Sequence, residues 1–379
     1  MSYYVPLYIE NKYSNAFIVG LLLSISSFFG MFFDFFIAER LGGKKYKFFI
    51  FWTVAFALLF PLSLLVMPAN VPVIALAMIV WSIYYEFRDF GKYDFVHHFM
   101  DIDKHTMAWS VISTLENIAY MIGPAIAVLA LDKMFSLPLY VSIIFIGVTY
   151  GIFLLFKKKY CPVAELPLRH EVKKSFGQEI NILFVLLKKL WLLVLVVFSY
   201  NLLDVVFWTS GILFAEQLRH KDALGGFFMV IYGVPALFVG FLAPFVHKKL
   251  GKKRTAFIFG VLAGLSMVML ALVNNTYLML GCVFLAATFS GVSFILISAV
   301  YEDYVARASV VANDIVTTKQ FAGNFAYVVG PVLLGFIAEN FDLKFPFLIT
   351  GNIMLLTSVI ALIFIPRKIK MPQSELKNL

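Results

Sequence analysis

The chain has 379 residues, 61% of them hydrophobic and only 14% charged, with 42 Phe and a mean hydropathy of +0.89. A soluble domain carries about 45–50% apolar and about 25% charged residues, which excludes an ordinary water-soluble enzyme, a disordered chain and a small disulfide scaffold. The net charge of +9 comes from Lys and Arg placed between apolar runs, so it points to lipid headgroups and not to nucleic acid. Cys161 and Cys282 are read as unpaired, and they assign no redox compartment.

In chain order, apolar runs long enough to cross about 30 Å of hydrocarbon lie at 15–38, 48–67, 71–96, 107–131, 136–156, 190–215, 223–246, 255–273, 277–301, 312–338 and 345–365. The expected fold class is therefore an all-α polytopic membrane protein. A short apolar stub, Tyr3 to Ile9, precedes the first run. Lys and Arg crowd one set of connections, including Arg40, Lys44, Lys45, Lys47, Lys157 to Lys159, Lys248, Lys249 and Arg254; the opposite set holds Lys12, Lys133, Arg219, Lys221 and Lys344. The positive-inside bias places the first set and the C-terminus in the cytoplasm of a multi-pass cell-membrane protein. The expected organisation is a bundle over 1–156, a cytoplasmic linker over 157–189 with an amphipathic helix at Glu171–Leu187, a second bundle over 190–366 and a cytoplasmic tail over 367–379.

The two halves repeat. Asn117-Ile-Ala119-Tyr120-Met-Ile-Gly123-Pro124 returns as Asn324-Phe-Ala326-Tyr327-Val-Val-Gly330-Pro331, at an offset of 207. Arg40-Leu41-Gly42-Gly43-Lys44-Lys45 returns as Lys249-Leu250-Gly251-Lys252-Lys253-Arg254, at an offset of 209. Each offset spans an even number of helices, so the halves are parallel repeats.

With these features the sequence resembles the major facilitator superfamily. Val5-Pro6-Leu7-Tyr8, Ile18 to Ser24 and Ala38 to Lys45 look like the end of that family's first helix, its second helix and its loop signature. The match is partial: Glu39 stands at the usual Asp, Phe35 at the leading Gly, and Lys248 replaces the acid in the second copy. Gly123-Pro124 and Gly330-Pro331 are similar to the fifth-helix motif of the family's antiporters. The resemblance implies two six-helix bundles related by a parallel repeat. It also implies a cytoplasmic gate at Asp34, Glu39, Arg40, Gly42, Lys44, Asp94 and Gly251.

Lowering 190–215 by the repeat offset puts the seventh span's counterpart almost wholly before Met1. The first helix is thus expected to be truncated here, with the stub as its outer end; a start codon assigned too late is favoured over a natural eleven-span form.

Ionisable groups inside a span are functional candidates, because each costs several kcal/mol there. In the span 71–96, Glu86 lies about 22 Å from Val71. It shares a face with Asp89 and Tyr93, while Arg88 and Lys92 share another, with Asp34 a candidate neighbour for these bases. Glu116 and Asn117 lie near mid-depth in the span 107–131. Asn201, Asp204 and Trp208 share a face of the span 190–215, and Lys319, Gln320 and Asn324 fall in the span 312–338, with Asp314 nearer its end. Lys319 needs an acid close by, and Asp204 is the expected partner. His97, His98, Asp101, Asp103 and His105 match no metal-ligand spacing, so no metal and no cofactor is expected.

Glu86, Arg88, Asp89, Glu116, Asn117, Asn201, Asp204, Trp208, Lys319, Gln320 and Asn324 are expected to make up a substrate and proton pathway in a secondary transporter, not an enzyme. Two bundles rock around a central cavity by alternating access, and titratable Glu86, Asp89, Glu116 and Asp204 suit proton coupling. The fifth-helix motif favours export of a small organic solute over import. Expected partners are the solute, protons and membrane lipids, with the chain a monomer. Rival readings are a lipid flippase or scramblase of similar fold and a polytopic membrane enzyme.

Overall fold

The structure is a computed structural model, and it describes residues 1–41, 46–99, 105–160, 176–248, 250–305 and 312–365. These residues are helical nearly throughout. Among the described residues ten helices are long and apolar enough to cross a membrane, and an eleventh span results if one bent pair counts as one. The chain divides into two compact units, Met1–Glu171 and Val172–Leu379.

The first unit holds α1 (Tyr4–Tyr13), α2 (Ala16–Leu41), α3 (Tyr46–Val66), α4 (Val71–Phe99), α5 (His105–Leu131) and α6 (Leu137–Tyr160). The stub is a real element. At ten residues α1 is about 15 Å long, and Ser14 ends it in the left-handed conformation at φ 47, its N–H donating to Glu10 O. Asn15 then caps α2, its Oδ1 accepting from Ile18 N–H at 2.9 Å. Tyr8 and Tyr13 donate to the carbonyls of Leu64 and Ala69, tying α1 to the end of α3. Between α3 and α4 the core is aromatic, built on Phe49 and Phe87 with Phe48, Phe56 and Phe90 around them.

The second unit holds α7 (Phe176–Trp208), α8 (Ser210–Lys221), a bent segment, α11 (Lys252–Leu272), α12 (Thr276–Val305), α13 (Ala312–Asn340) and α14 (Phe345–Phe364). The bent segment runs through a 3₁₀ turn (Ala223–Phe227), α9 (Phe228–Gly233), a second 3₁₀ turn (Val234–Leu237) and α10 (Val239–Val246). Expected as one span over 223–246, it bends by 51° between Leu237 and Val239. Gly233, Pro235, Gly240 and Pro244 explain the bend: proline removes a ladder donor and glycine stiffens nothing.

One further expectation changes. Residues 176–189 are the first turns of α7 and run without a break into the span, so this part of the expected amphipathic helix is not a separate element. No proline or glycine interrupts 178–208, and helix therefore propagates. The span expected over 190–215 lies inside one membrane-length span, Phe184–Lys221, in which helical geometry breaks once, at Thr209. Thr209 leaves helical geometry and its hydroxyl donates back to Val205 O at 2.7 Å, opening the step into α8.

The repeat extends into the caps. Asn70 and Asn275 accept from Val73 and Leu278 N–H at the starts of α4 and α12, and Pro138 and Pro346 open α6 and α14. In sequence register α1 takes the place in the first unit that α8 takes in the second. In the second unit α11 and α14 meet through small residues. A Cβ on Gly264 would stand 2.7 Å from Gly351 O, and one on Gly260 would run into Ser358. This close approach of backbones is how helices associate where no hydrophobic force separates them from lipid.

Candidate functional site

In the first unit the charges of α4 form a chain. Asp89 Oδ1 accepts from Arg88 Nε at 2.8 Å and from Lys92 Nζ at 2.8 Å, and Lys92 reaches across to Glu116 Oε1 of α5 at 2.6 Å. Two bases and two acids thus neutralise one another and bridge two helices. Arg88 lies over the Tyr85 ring at 4.6 Å, and the Tyr85 hydroxyl meets Ser2 Oγ at 3.4 Å and bonds Tyr120.

The expected separation of acids from bases does not hold: Lys92 turns to Asp89 three residues back, the spacing at which helical side chains touch. Glu86 and Asp89 part company as well. Glu86 faces α2, where a Cβ on Gly30 would stand 3.0 Å from its Oε1, whereas Asp89 belongs to the chain that reaches α5.

In the second unit Asp204 of α7 accepts from the hydroxyls of Tyr232 on α9 and Tyr327 on α13, and the Trp208 side chain also bonds it. Phe207 stacks on the Tyr232 ring at 3.9 Å and closes one side. The carboxyl therefore sits where α7 stops, held by three aromatic residues from three helices. Lys319 is not among them. Its Nζ donates to Ser298 Oγ of α12 at 2.8 Å and lies 5.4 Å from the Phe294 ring centre. The expected Asp204–Lys319 pair is absent because Asp204 stands at the level of Tyr327, eight residues or about 12 Å further along α13.

The asparagines do less than expected. Asn201 Nδ2 donates to Val197 O at 2.8 Å in its own helix, and its side chain abuts Gly323. Among the described residues, Asn117 and Asn324 are half-buried and make no bond between helices. Gln320 is exposed. The repeated glycines differ: a Cβ on Gly330 would stand 2.9 Å from Leu202 and Val205 of α7, while one on Gly123 would meet nothing within 4 Å.

Of the gate residues, the side chains of Asp34, Glu39, Arg40, Lys44 and Asp94 and the whole of Gly42 lie outside the described residues, as do the side chains of His97, His98 and Asp314. Gly251 is described: φ 81 and ψ 156 place it where a Cβ is strained, and it starts α11. Beside it Lys252 Nζ binds both oxygens of Asp303 at 2.8 and 2.9 Å, and Lys253 lies over the Tyr304 ring at 5.2 Å. Asp303 stands 209 residues after Asp94, so the repeat itself could have found this pair. Tyr327 was likewise inside the repeated Asn-x-Ala-Tyr motif. Tyr232 had no signal beyond a hydroxyl in an apolar run.

Ten membrane-length helices among the described residues, in two units and with half-buried ion pairs inside a span, are the make-up of a multi-pass membrane protein. The sequence model of the Major Facilitator Superfamily matches residues 95–323, and the chain belongs to that family of secondary transporters. The crystal structure of a point mutant of the nucleoside transporter NupG shares the fold, with a TM-score of 0.73 over 96% of each chain and 14% identity. No curated protein matches the sequence.

Proposed function

We propose that the protein exports a small organic solute by alternating access in exchange for protons. In this reading it works as a monomer in the cell membrane with its C-terminus in the cytoplasm. The observation that carries the reading is Asp204, a span carboxyl held by hydroxyls and an indole instead of a cation. Tyrosine can donate to the carboxylate and accept from the neutral acid, so this seat serves both protonation states. Asp89 and Glu116 are committed to Arg88 and Lys92. Asp204, seated on hydroxyls and not on a base, is therefore the carboxyl that carries the proton in this reading.

The test is solute flux in proteoliposomes with and without an imposed pH gradient. Uridine is a sensible first neutral solute, since the fold neighbour carries nucleosides. Flux that follows the gradient supports the reading. Movement of a fluorescent phospholipid between leaflets, with no solute flux, would favour the flippase instead.

A further inference from the structure

Three cations lie well inside the described spans. Arg88 and Lys92 each touch a carboxylate. Lys319 does not: among the described residues no Asp or Glu oxygen lies within 4.0 Å of its Nζ. Its partners are the Ser298 hydroxyl and the face of Phe294, one turn apart on α12. Glu302, the next turn along that helix, acts on it only at longer range, and the oxygens of Asp204 are already held by Tyr232 and Tyr327. An ammonium in a membrane span without a counter-ion is costly.

We propose that the transported solute supplies the missing charge: Lys319 and Ser298 bind the carboxylate or phosphate of a small organic anion. This rests on the secondary-transporter reading and names its substrate class. Ser298 accepts from Lys319 and keeps its own O–H to donate, so an N–H and an O–H converge on one anionic oxygen. Such charge-assisted bonds are about twice as strong as neutral ones. Phe294, 40% exposed beside them, offers an apolar wall for the carbon skeleton.

The test measures binding to the full-length protein in detergent by thermal shift, with succinate and glucose 6-phosphate against the neutral succinamide and glucose. At least one anion should bind and its neutral counterpart should not; a response to one anion alone tells carboxylate from phosphate. Lys319→Gln should lose this binding and Lys319→Arg keep it. Ser298→Asp is the decisive variant, because it places a permanent carboxylate beside Nζ. It should raise the unfolding temperature and weaken anion binding by about tenfold or more. Equal binding of the neutral counterparts, no binding of either anion, or anion binding unchanged in Ser298→Asp would overturn the proposal. Uridine flux through the wild-type protein that neither anion competes with would overturn it too, while leaving secondary transport intact.

Discussion

Asp204 and Lys319 lie about 12 Å apart along the axis of α13, and each has a nearer partner than the other. Asp204 takes two tyrosine hydroxyls, and Lys319 takes a serine. Replacing Asp204 with Asn removes the exchangeable proton but keeps a hydrogen-bonding group of the same shape. Gradient-driven flux should then fall by about tenfold or more, while exchange of solute across liposomes with no gradient continues. Equal loss of both would mean that Asp204 holds the fold and carries no proton. Charges were legible in the sequence because an ionisable residue stands out against an apolar run. Their partners were not, since Tyr232, Tyr327 and Ser298 are ordinary residues in such runs and only the packing brings them into range.

At the scale of single helices, α4 and α5 are joined by Lys92 and Glu116 at 2.6 Å, with side chains 21% and 35% exposed. Partial exposure discounts the pair from its fully buried worth. Lys92→Ala should cost about 1–2 kcal/mol, and a double-mutant cycle with Glu116→Gln should give a coupling near 1 kcal/mol. Strict additivity in thermal unfolding would count against the bridge. Between α11 and α14 the backbone approach at Gly264 and Gly351 leaves no space for a side chain. Gly264→Leu should therefore destabilise the second unit by about 3 kcal/mol, visible as a lower unfolding temperature; an unchanged temperature would mean that these helices part easily. The helices themselves were readable, because a run of about 20 apolar residues has few other uses. The bend near Phe238 was not, although Gly233, Pro235, Gly240 and Pro244 were in view. Membrane helices often carry such residues without breaking, so composition alone does not locate a kink.

For the whole molecule, the repeat carried most of the inference. It paired Pro124 with Pro331 and Tyr120 with Tyr327, and the same spacing leads from Asp94 to Asp303. The repeated residues are not used alike. Tyr327 and Gly330 both pack on α7, whereas Tyr120 bonds Tyr85 of α4 and Gly123 has no neighbour within reach of a Cβ. An internal repeat thus predicts where an element lies better than what it does, because a duplicated helix keeps its turns while its contacts diverge. Coupling between solute and protons is the property on which this reading depends. It is tested most directly by adding the transported solute outside proteoliposomes that enclose a pH-sensitive dye, with no gradient imposed. Exchange predicts that solute entering the wild-type vesicles drives protons out and makes the interior alkaline, and that Asp204→Asn vesicles take up solute with no such change. Solute uptake by the wild-type protein at constant internal pH would contradict it.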